Sequence, residues 1–61
     1  MTPVEVRDAL DAAMRLLVGV REDVAGLLGD DQGQALFAAA VVVDGVRARI
    51  DHAIGTGEVG S

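Results

Sequence analysis

Apolar residues recur along the first half of the chain at Val6, Leu10, Ala13, Leu17, Val20, Val24 and Leu27. The steps alternate between four and three residues, which is the heptad seam of an amphipathic helix. Asp8, Arg15 and Glu22 fall on the opposite side. A second seam with the same alternation follows at Leu36, Ala39, Val43, Val46, Ile50 and Ala53. The pattern predicts two helices, at about residues 3–28 and about residues 32–54.

The ends of these segments carry matching signals. Thr2-Pro3-Val4-Glu5 reads as a helix start. Threonine caps, proline suits the first helical position, and Glu5 returns the capping-box bond. Met1 and Val6 occupy the two positions of a hydrophobic staple. Gly29 suits a helix stop, and Gly29-Asp30-Asp31 is the expected turn. Asp31 with Gln34 forms a second capping signature. Gly55 ends the second pattern, and residues 56–61 are expected to fray as a tail. Two helices of similar length joined by so short a turn pack antiparallel. The expected fold is therefore all-α, a helical hairpin over residues 1–55.

The seams leave apolar residues over. Met14, Leu16, Val18, Ala25 and Leu28 lie outside the first, and Phe37, Ala38, Ala40, Val41 and Val42 flank the second. A helix apolar all round is buried on several sides. Met14, Val18, Phe37, Ala38, Val41 and Val42 are accordingly the candidate partner interface. The economical way to cover such residues is a pair of hairpins in a four-helix bundle. Ala12, Gly19 and Gly26 recur every seven residues, as do Ala38 and Gly45, and a stripe of small residues lets helix backbones approach.

Composition supports this reading. A chain of 61 residues with 51% apolar content is too hydrophobic for a disordered tail. It is also short enough that its own core supplies only about 3–5 kcal/mol. The chain has no cysteine and one histidine, which excludes disulfides and thiolate zinc sites and disfavours a histidine metal site. The usual remaining source of stability is a partner, either a second copy or a larger assembly.

The net charge is −5, and all five basic residues are arginines. An acidic balance disfavours binding to nucleic acid or to anionic membrane. The longest apolar run, Ala35 to Val43, is nine residues, against about 20 for a membrane span. No apolar signal core is visible near Met1. The expected setting is cytoplasmic, or a particle assembled in the cytoplasm. The absence of lysine, asparagine and tyrosine reads as the imprint of a GC-rich bacterial or phage genome.

Candidate chemistry is sparse. The carboxylates sit near arginines at helical spacing: Arg7 with Asp11, Asp11 with Arg15, Arg47 with Asp51. Such pairs form a solvated face. A di-metal bundle needs inward carboxylates and a Glu-x-x-His motif, which His52 lacks. His52 near a helix C-terminus reads as a surface cation. Thr2, Thr56 and Ser61 are the only hydroxyl residues, and Gly55-Thr56-Gly57 lacks the lysine of a phosphate loop. No catalytic, cofactor-binding or metal residue is assigned, and no small-molecule substrate is expected.

Thr2 near the start, two helices of about this length and an aspartate turn near residue 30 give a layout that resembles the plasmid-encoded RNA-binding hairpins of the Rop type. That resemblance implies a dimeric four-helix bundle. It does not extend to RNA contacts, because the corresponding face here carries aspartates and residues such as Met14 and Val18. The expected function is a non-enzymatic interaction or structural module that self-associates or docks on a larger assembly. The alternative is a small acidic regulator that masks a partner protein.

Overall fold

The structure, a computed structural model, describes residues 1–58. It contains two helices, α1 (Pro3–Leu28) and α2 (Asp30–Thr56), packed antiparallel as a hairpin. The start of α1 forms as its sequence dictates. Thr2 is extended, its Oγ1 accepts the Glu5 N–H at 3.1 Å, and the Glu5 Oε1 accepts the Thr2 N–H at 3.2 Å. The reciprocal pair satisfies two of the amide donors that a helix start leaves without a partner. Met1 stays exposed, so the staple to Val6 does not cover it.

The turn is tighter than the sequence suggests. Gly29 alone separates the helices, at φ 113° and ψ 160°. That backbone geometry excludes a side chain with a Cβ unless strain is accepted. The Gly29 N–H donates to the Ala25 carbonyl at 2.9 Å, closing α1. Its own carbonyl accepts from Gln32 and Gly33 at 3.1 and 3.3 Å, opening α2. Helix α2 therefore begins two residues before the expected position. Asp31 is not its cap; with Asp30 it lies in the first turn, where a carboxylate complements the helix dipole.

At the other end the helix passes through Gly55 and stops at Gly57, which is left-handed at φ 78° and ψ 13°. Gly57 N–H donates to Ile54 and Glu58 N–H to Ala53, a Schellman closure. Of the expected tail, Thr56 is thus helical, and residues 59–61 lie outside the described residues.

The hairpin measures 43 × 15 × 12 Å. Its radius of gyration is 13.9 Å, where a compact domain of this length would have about 10.5 Å. Two helices side by side enclose little interior. Ala40, 3% exposed, is the one buried apolar side chain among the described residues, and Gly33 is buried beside the turn.

Gly33 marks a close approach of the helices. A Cβ placed there would stand 2.8 Å from the Ala25 Cβ and 3.1 Å from the Arg21 carbonyl oxygen. At Gly19, Gly26 and Gly45 a Cβ would meet nothing within 4 Å. The small-residue stripe read from the sequence is therefore not where these two helices touch.

Candidate interaction site

The interhelical contact uses half of each predicted seam. Leu10, Leu17 and Val24 on α1 and Leu36, Val43 and Ile50 on α2 are half-buried between the helices. The other row turns onto one side of the hairpin. There Val6, Ala13 and Ala53 are half-buried, while Val20, Leu27, Ala39 and Val46 are exposed, Leu27 at 82%. On the second side the contact is completed by residues outside the predicted seams: Met14, Arg21 and Ala25 on α1, and Gly33, Ala40 and Arg47 on α2. The α2 seam within the hairpin thus runs Gly33, Leu36, Ala40, Val43, Arg47, Ile50, Ile54, again in steps of three and four. The sequence pattern passes over it because Arg47 interrupts the apolar row. Arginine can nevertheless lie at such a position by burying its methylene stem and keeping its head at the edge.

These placements define two unlike flanks. The first is apolar. Near the open end of the hairpin it holds a groove of about 310 Å³ lined by Pro3, Val6, Val46, Arg49, Ile50 and Ala53. Helical periodicity extends the same strip along Ala9, Ala13, Leu16 and Val20 of α1 and along Val42, Ala39 and Ala35 of α2. Leu16 and Val42 there are 69% and 67% exposed. Arg49, at the rim, is the one charged residue lining the groove.

The second flank holds a smaller groove of about 130 Å³ lined by Met14, Val18, Phe37, Ala40, Val41 and Asp44. Four of the residues expected to form a partner interface meet here: Met14, Val18, Phe37 and Val41. Val42 belongs to the first flank, and Ala38 is exposed without lining either groove.

The second flank is also crossed by charge. The Arg7 Nη1 donates to Asp51 Oδ1 at 2.9 Å, joining the two helices at the open end. Its Nε and Nη2 donate to Asp8 at 3.2 Å. The hydrogen bonds to Asp51 and Asp8 hold the Arg7 guanidinium above its ordinary pKa. Arg47 pairs with Asp44 at 3.1 Å, not with Asp51 as spacing suggested. Asp11 pairs with Arg15 at 3.2 Å, and Arg7 is engaged elsewhere. The Arg21 guanidinium lies 5.1 Å from the Phe37 ring centroid, a cation–π contact across the hairpin.

Among the described residues no group of three or more acidic or histidine side chains is arranged to hold a metal ion. No helix there is long and apolar enough to cross a membrane. Comparison of the chain with protein families, curated proteins and solved structures finds no match.

Proposed function

We propose that this chain is a non-enzymatic interaction module whose hairpin is completed by association, with itself in a four-helix bundle or with a larger assembly. One observation carries the reading. A chain that is 51% apolar buries a single apolar side chain among those described, Ala40, and leaves Leu16, Leu27, Leu28, Val41 and Val42 more than half exposed. Exposed apolar surface on that scale marks an association site. Burying each such side chain contributes about 1.5–3 kcal/mol, so a few of them rival the whole stability of a domain this small. The settings that fit are an accessory subunit of a bacterial complex or a component of a phage particle.

The test is thermal melting of the helical signal across about a hundredfold range of protein concentration. Association makes the midpoint rise with concentration, by mass action. A sharp, concentration-independent melt of a monomer would refute self-association, and an unaltered melt in the presence of every assembly it co-purifies with would refute docking. The reading as an acidic masking protein separates by salt: its binding weakens steeply with ionic strength, and apolar association does not.

A further inference from the structure

We infer that the apolar flank, and not the flank carrying Phe37 and Val41, is the face on which a second copy of this chain packs. The inference rests on the association reading above and names its surface and its occupant.

Three observations converge. The first is continuity with the contact already formed. In each helix one seam row faces the sister helix, and the other row, Val20 on α1 and Ala39 and Val46 on α2, turns onto the same flank. That is how a helix of a four-helix bundle is built, one row for each of its two neighbours. In the isolated hairpin the second neighbour is missing for both helices, on the same side.

The second observation is charge. The opposite flank carries Arg7, Arg21, Asp44 and Asp51, tied into pairs across or along the helices. Burying it would strip water from those groups. On the apolar flank Arg49 is the one charged residue lining the groove, and periodicity adds Asp23, seven residues beyond Leu16, to the same strip. No ion pair crosses the helices there among the described residues. For a chain of net charge −5 meeting its own copy, the less charged strip is where like charges oppose contact least. A two-fold pairing also lays apolar rows against apolar rows, as an isologous interface requires.

The third is area. The chain exposes 4202 Å², where a compact monomer of 6.2 kDa would expose about 3700 Å². The excess of about 500 Å² is most of what one partner contributes to a standard interface, about 800 Å².

The experiment is light-scattering mass at micromolar concentration for the native chain and three variants. Val46→Arg and Leu16→Arg place a charge on the apolar flank, one on each helix, and Val41→Arg places one on the other flank. All three residues are exposed in the hairpin, at 43%, 69% and 57%, and circular dichroism of each variant serves as the check that its helices are retained. The native chain and Val41→Arg are expected at twice the 6.2 kDa chain mass. Val46→Arg and Leu16→Arg are expected at the chain mass, with dimer dissociation constants raised about thirtyfold or more, as for a lost interface hot spot. A dimer that survives both apolar-flank variants and is split by Val41→Arg would overturn the inference while leaving the association reading intact. A monomeric native chain whose melt does not depend on concentration would overturn the inference and self-association with it, and would leave docking on a larger assembly as the form of the association reading.

Discussion

Gly33→Ala is the substitution whose outcome the hairpin geometry fixes most sharply. Replacing glycine by alanine in a helix interior ordinarily stabilises by about 0.8–1 kcal/mol. At Gly33 the new methyl would stand 2.8 Å from the Ala25 Cβ and 3.1 Å from the Arg21 carbonyl. Neither atom is the far end of a flexible chain, so the helices must separate beside the one-residue turn. Overpacking of this kind costs about 1–3 kcal/mol. The net expectation is a loss of up to about 2 kcal/mol, against a gain of about 0.8–1 kcal/mol for Gly45→Ala, whose added Cβ meets nothing. For a domain of this size each kcal/mol moves the melting midpoint by about 4–8 °C. The assay is thermal and urea unfolding followed by helical circular dichroism, at one fixed protein concentration. Ala25→Gly in the Gly33→Ala background removes the nearer obstacle, so the double variant should recover part of the loss beyond the sum of the single effects. If Gly33→Ala stabilised as much as Gly45→Ala, the helices would not approach here as described.

Other expectations follow from the same contacts. Leu17→Asp sets an unpaired charge in the row between the helices and should abolish the cooperative helical melt. Thr2→Ala removes the acceptor of the Glu5 amide and should cost about 1 kcal/mol in denaturant unfolding. Gly29→Ala forces a Cβ onto a backbone at φ 113° and within 2.9 Å of the Asp31 carboxylate, and should destabilise by about 1 kcal/mol or more.

The features that were legible in the sequence are local ones. Thr2 and Glu5 form their capping box because the signal and the bond lie within one turn. The helix spans follow from periodicity alone. What periodicity does not state is direction. A heptad seam has two rows, and the same sequence serves a helix with one neighbour or with two. Val20, Leu27 and Val46 were therefore indistinguishable from Leu17, Val24 and Val43 until the sister helix was placed.

Asp31 misled for a related reason. Its capping signature is genuine chemistry, but the positive φ of Gly29 turns the chain in one residue and starts α2 before Asp31 can cap it. Gly33 carried a usable signal, since it stands three residues before Leu36 and seven before Ala40, on the face that α1 covers. The partner surfaces were harder to read. Phe37 and Val41 are the more conspicuous apolar residues, but their flank shares its space with the Arg21 and Asp44 contacts, which only the folded hairpin brings together.

The most direct test of the account is small-angle X-ray scattering from the native chain, which reports mass and shape together. The hairpin alone has a radius of gyration of 13.9 Å and a mass of 6.2 kDa. Two hairpins packed flank to flank, with helix axes about 10 Å apart, would double the mass and raise the radius only to about 15 Å. That pairing of values is the predicted result. The chain mass with an unchanged radius, or a doubled mass with the much larger radius of an end-to-end pair, would contradict it.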